Sequence, residues 1–140
     1  MKPTSSTSSG PEPIDLRSRL TGLREALLSL HKALLESERV SYEAAVGKIT
    51  SPLHFLQLLT NDPWFAWLSP LTGLITAVDE RLESKAPLTA AEAEALIVRA
   101  RTLLRATEGG EGFSGHFDEA LQRSPEVIFA QAAVAPWIRP

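Results

Sequence analysis

Asn61-Asp62-Pro63-Trp64-Phe65-Ala66-Trp67-Leu68-Ser69-Pro70-Leu71 is the stretch that decides the fold. Three of the chain's nine aromatic residues fall within four positions here. Two helix-start signals, Asp62-Pro63 and Ser69-Pro70, bracket them. A short oxygen-bearing side chain caps the free N–H groups of a helix's first turn, and proline fits the position after it. The stretch therefore predicts a short aromatic helical turn wedged between two longer helices. It specifies architecture rather than chemistry.

Upstream, Leu16, Leu20, Leu23, Leu27, Leu30 and Leu34 alternate spacings of four and three. That periodicity predicts a long helix packed along a seam. Past Leu34 the apolar pattern continues through Leu35, Tyr42, Val46 and Ile49 on a rotated face, which implies a changed packing partner or a kink. Gly47 weakens the last turn, and Ser51-Pro52 opens a new helix. That helix carries Leu53, Phe55, Leu56, Leu58 and Leu59; apolar nearly all round, it is expected at the centre of the fold.

Downstream, the helix from Pro70 places Leu71, Leu74, Ile75, Val78 and Leu82 on one face and stops at Lys85-Ala86-Pro87. Thr89 and Glu92 have the spacing of a capping box, in which each side chain bonds the other residue's backbone N–H. The helix they open runs through Leu96, Ile97, Ala100, Leu103 and Leu104 to about Thr107. Gly109-Gly110-Glu111-Gly112 is expected as a linker. A short helix over Phe117–Gln122 follows, then another from Ser124-Pro125 to about Val134. Ala135 to Pro140 is expected to leave regular helix, with Trp137 tucked against the body. The result is an all-α fold: a helical bundle of about four main helices plus short helical pieces. No repeat of fixed period runs through it.

Composition bounds the function. A chain of 140 residues with 44 % apolar content suits one domain with a real core. Residues 1–13, rich in Ser, Thr and Pro, are expected as a disordered tail, leaving 14–140 as a single helical-bundle domain. A net charge of −3 and a pI near 5.6 argue against nucleic-acid binding, which needs a basic face. The absence of cysteine excludes disulfides, thiolate nucleophiles and zinc–thiolate sites. The N-terminus shows no apolar stretch of a secretory signal, and no run approaches the ~20 apolar residues that span a bilayer. A cytoplasmic protein without membrane contact is expected.

One polar constellation stands out. At ~100° per residue, His31, Glu38 and Tyr42 fall within about 40° of one another on the first helix. Four residues past Leu34, Glu38 falls on the face of the seam in place of an apolar residue, so its carboxylate needs a partner. These residues form either a polar pocket, with His31 as base or ligand, or a structural network where the seam changes partner. A metal site is not expected, because no Glu-x-x-His pair occurs and His31 and Glu38 stand ~10 Å apart along the helix axis. No cofactor is expected either. Gly110-Glu-Gly-Phe-Ser-Gly115 matches a dinucleotide-loop string, but a helical segment precedes it where such a loop needs a strand. No Gly-x-Ser-x-Gly elbow supports acyl transfer. Trp64, Phe65 and Trp67 read first as core packing; because Trp64 and Trp67 share one face of their turn while Phe65 points elsewhere, an exposed ring among them would instead mark a partner interface, and a small-molecule pocket is the third reading.

The strings Leu30-His31-Lys32-x-Leu34-Leu35, Glu38-Arg39-x-x-Tyr42-Glu43 and Asp62-Pro-Trp-Phe-Ala-Trp-Leu68 resemble those of a family of small all-helical bacterial proteins of uncharacterised function. The resemblance covers about residues 14–85. It implies a bacterial cytosolic setting and a helical fold, and it brings no activity, cofactor or catalytic residue with it. The sequence thus points to a non-enzymatic bundle acting through protein–protein contacts, with itself as a homodimer or with another protein. The rival reading is a small-ligand-binding or catalytic bundle built on His31, Glu38 and Tyr42.

Overall fold

The leucine seam makes the first helix, α1 (Pro13–Ala45), the spine of the molecule. Leu20, Leu23, Leu27, Leu30 and Leu34 are all fully buried, and Leu16 is half-buried at the end of the row. Each buried leucine contributes about 1.5–3 kcal/mol of hydrophobic stabilisation. The computed structural model describes residues 13–140, as six α-helices and one 3-10 turn, with no strand among the described residues. Of the tail expected over residues 1–13, all but Pro13 lies outside the described residues; Pro13 itself opens α1.

Around the spine stand α3 (Ser69–Glu83), α4 (Ala90–Leu103), α5 (Gly112–Arg123) and α6 (Pro125–Ile138). Helix α6 has the largest contact with α1, and α3 the next. The core is one continuous cluster, to which α3 adds Leu71, Leu74, Ile75 and Val78, α4 adds Ile97 and Ala100, and α5 adds Phe113 and Phe117. The capping box forms as its spacing predicts. The Glu92 N–H donates to Thr89 Oγ1 at 3.1 Å, and the Thr89 N–H donates to Glu92 Oε1 at 3.0 Å. Ser51 and Ser124 cap their helices by accepting from the N–H groups of His54 and Val127.

Several expectations are corrected. Helix α1 stops at Ala45, short of Ile49. Val46 is left exposed, and the Glu43 carboxylate takes up the Ile49 N–H at 2.9 Å beyond the helix end. The aromatic turn (Pro63–Leu68) is capped by Asp62 as predicted, but Ser69 has helical dihedrals and no capping bond, so the turn runs straight into α3. Helix α4 ends at Leu103, and α5 begins at Gly112 rather than Phe117. The corner between them is close-packed: a Cβ on Gly115 would lie 1.9 Å from the Gly110 carbonyl oxygen.

Helix α2 (Pro52–Asn61), expected at the centre, buries no residue completely. The α1 seam is already covered by α3, α4 and α6. Only the Phe55, Leu58 and Leu59 side of α2 packs against the core, while Leu53 and Leu56 remain 63 % and 58 % exposed. Helix α6 passes through Pro136 and ends at Ile138. Proline so close to a helix end forfeits a single backbone bond. The carbonyls left free by the helix end are taken by arginines from elsewhere: Arg101 Nε donates to Ile138 O at 2.7 Å, and Arg19 donates to Trp137 O at 3.3 Å and Arg139 O at 2.8 Å. The Trp137 indole does tuck against the body. It lies over Gly22, where a Cβ would stand 2.4–2.6 Å from three ring carbons.

Candidate functional site

The three residues of the predicted polar face go to three different neighbours. His31 reaches Thr72 on α3, with Nε2 3.3 Å from Oγ1, and burial lowers its pKa below the ordinary 6.5. Tyr42 is an aromatic core residue, edge-on to Trp64 at 5.6 Å and tilted against Phe65 at 5.5 Å. Glu38 is buried to 7 % exposure. Its Oε1 accepts from Trp67 Nε1 at 3.2 Å, and its Oε2 accepts from Arg123 Nη2. Arg123 also donates through Nε to Ser37 Oγ at 3.0 Å. Helix α1 thus places three polar side chains on one side, but the surrounding helices separate them.

The aromatic turn packs into the core. Phe65 and Trp67 are 2 % and 9 % exposed, and Trp64 is half-buried. The turn is wedged among α1, α2 and α5, so each ring finds its own partner. Phe65 meets Tyr42 and Phe55, Trp64 meets Tyr42, and Trp67 meets Phe113 and the stacked imidazole of His116 at 5.1 Å. Trp64 Nε1 is buried without a hydrogen-bond partner.

Two surface cavities flank the Glu38–Arg123 pair. One, of about 460 Å³, is a polar cleft among α1, the aromatic turn and α5; Glu38, Ser41, Trp64, His116 and Arg123 line it. His31 and Tyr42 do not. The other, of about 700 Å³, is a largely apolar groove along α1, walled by the start of α6 and by Phe55 of α2. Arg123 stands between the two cavities and lines both. Outside the groove, Phe129 on α6 is 73 % exposed. Among the described residues, no three His, Asp or Glu side chains converge as metal ligands would, and no helix is long and apolar enough to cross a membrane.

Arg123 and His116 are the residues that sequence reasoning missed. The signal for Arg123 was Glu38 itself, whose place on the seam demands a cation, but nothing in the chain says which of its basic residues folds back over that position. His116 follows Phe113 by three and precedes Phe117 by one, at the edge of an amphipathic face that becomes visible only once α5 is known to begin at Gly112. Compared with known protein families, curated proteins and solved structures, the chain matches none.

Proposed function

We propose that this chain is a non-enzymatic helical-bundle protein of the bacterial cytoplasm that acts through protein–protein contacts, self-association as a homodimer among them. The observation that carries this reading is α2: an uncharged helix, rich in leucine, with no fully buried residue, lying beside an apolar groove of about 700 Å³. Contiguous apolar surface of this kind marks an interaction site. The separation of His31, Glu38 and Tyr42 supports a structural role for each, and the resemblance to small helical bacterial proteins supports the setting. Light scattering on the full chain from about 1 to 500 µM tests the reading. The expected mass rises from 15.2 kDa toward twice that value. A mass of 15.2 kDa throughout would refute self-association.

One observation favours a second reading, a small-ligand site, though centred on Glu38, Trp64 and His116 rather than on His31, Glu38 and Tyr42. The unpartnered Trp64 indole N–H belongs to a residue lining the 460 Å³ cleft, and a buried donor without an acceptor costs about 1–3 kcal/mol. A fragment screen read by the Trp64 indole proton resonance tests it. Shifts caused by acceptor-bearing fragments support a ligand site; an unmoved resonance rejects one.

A further inference from the structure

We propose that the homodimer forms through the outer face of α6, which pairs antiparallel with α6 of a second copy so that Glu126 of each copy meets the partner's Arg139. This rests on the self-association reading and deepens it by naming the surface and the pairing. Helix α6 buries Val127 and Val134 on its inner side. At ~100° per residue, Phe129, Ala132, Ala133 and Pro136 fall on the opposite side, and all four are exposed, Phe129 to 73 %. No Asp, Glu, Lys, Arg or His interrupts the chain between Glu126 and Arg139. The face is also fixed in place before any partner arrives. The inner side of α6 makes the largest contact in the bundle, with α1, and Arg19 and Arg101 hold the carbonyls at its C-terminal end. Docking on it therefore costs little ordering entropy.

The order of residues along this face says what covers it. Read from its N-terminus it runs acid, large apolar, small, small, apolar, base, so the same face reversed is its own complement. Glu126 and Arg139 each lie about 10 Å from the point between Ala132 and Ala133, at 1.5 Å per residue, and Phe129 and Pro136 each lie about 5 Å from it. A two-fold axis through that point sets Ala132 against the partner's Ala133, Phe129 against the partner's Pro136 and Glu126 against the partner's Arg139, each contact occurring twice. The two alanines at the crossing let the helix axes approach to about 8 Å. Neither Glu126 nor Arg139 has an ion-pair partner within 4.0 Å among the described residues. A parallel pair would set Glu126 against Glu126 and Arg139 against Arg139. The antiparallel pair satisfies both charges and also opposes the two helix dipoles.

Sedimentation equilibrium on the full chain tests this with Glu126→Arg, Arg139→Glu, the double variant, Phe129→Glu and Leu56→Glu. Each single charge variant turns two attractive contacts into two repulsive ones and should weaken dimerisation about tenfold. Overall repulsion between copies would move the two variants in opposite directions, because one reduces the net charge of −3 and the other adds to it. The double variant should return to within about threefold of wild type. Mixing the two single variants should restore association as well, because the mixed pair places Arg opposite Glu at both contacts. Phe129→Glu should abolish dimerisation while leaving the circular dichroism spectrum unchanged, since Phe129 is exposed in the monomer. Leu56→Glu, on the exposed side of α2, should dimerise at wild-type strength. Wild-type dimerisation in Phe129→Glu or in both single charge variants, opposite shifts in those two, or loss of the dimer in Leu56→Glu would overturn the α6 pairing and leave self-association standing. A wild-type chain that stays monomeric would overturn both.

Discussion

Gly22→Ala is a mutation whose sign ought to depend on a residue 115 positions away, Trp137. Gly22 lies inside α1, and replacing glycine by alanine in a helix interior ordinarily stabilises by about 0.5–1 kcal/mol, because alanine gives up less backbone freedom on folding. Here the new methyl would stand 2.4 Å from the nearest carbon of the Trp137 ring, against 3.4 Å or more for ordinary contact. The ring must retreat by about 1 Å from a site where it is half-buried on the core. Overpacking of this kind costs about 1–3 kcal/mol. The net expectation for Gly22→Ala is destabilisation by about 0.5–2 kcal/mol. In a Trp137→Ala background the ring is gone, only the helix-propensity effect remains, and the same substitution should stabilise by about 0.5–1 kcal/mol. Urea titrations of the four proteins followed by far-ultraviolet circular dichroism measure the cycle without relying on the fluorescence of the deleted tryptophan. An equal effect of Gly22→Ala with and without Trp137 would refute the close approach of the two helices at this point.

Leu27→Ala and Leu30→Ala should each cost about 2–5 kcal/mol in chemical denaturation, because both side chains are fully buried on the spine; losses below about 1 kcal/mol would show the seam to be open. Glu38→Ala should cost about 1–3 kcal/mol by stranding the buried Trp67 indole N–H, and Glu38→Gln, which keeps an acceptor, should cost less; a Glu38→Gln protein clearly more stable than wild type would argue that the carboxylate is kept for a ligand rather than for the fold. Glu92 supplies a pH signature. The Arg81 guanidinium and the Thr89 N–H hold its carboxyl well below the ordinary 4.5, at about 2. A depressed carboxyl stabilises the folded state above its unfolded pKa, and that stabilisation is lost as pH falls from about 4.5 to about 2. Glu92→Gln should flatten that part of the stability–pH curve, and an unchanged slope would place the acid sensitivity elsewhere.

What the sequence discloses about this fold is mostly local. The 4-3 leucine spacing, the Thr89–Glu92 capping box and the Ser51 and Ser124 caps each depend on residues within a few turns of one another, and each forms where its spacing puts it. What it conceals depends on contacts between distant segments. An apolar helix such as α2 reads as central when nothing shows that the faces it would fill are already taken. Pro136 reads as a helix stop until Arg19 and Arg101 are seen on the carbonyls beyond it. The site divides in the same way: Glu38 announces a missing cation, but only the approach of α5 to α1 identifies it as Arg123, 85 residues on. The three aromatic rings of the 3-10 turn are legible as a cluster that reads first as core, and the separate partner of each ring is not, because it needs walls from three separate helices.

The largest contact of the bundle joins its first described helix to its sixth, and that has a consequence for how the protein is made. Arg19 and Trp137 are 118 residues apart, so at about 5–20 residues per second the ribosome needs roughly 6–24 s to deliver the indole that settles on Gly22. Helix formation takes about a microsecond, so α1 winds long before then and carries its row of leucines without their final cover. Helices α3 and α4 can shield part of that row as they emerge, but the α6 side stays bare until synthesis has passed Ile138. During those seconds the nascent chain presents a greasy stripe to its surroundings. A hydrophobic-segment chaperone at the tunnel exit would find its purchase there, on Leu20 to Leu34, and would have to let go for α6 to dock.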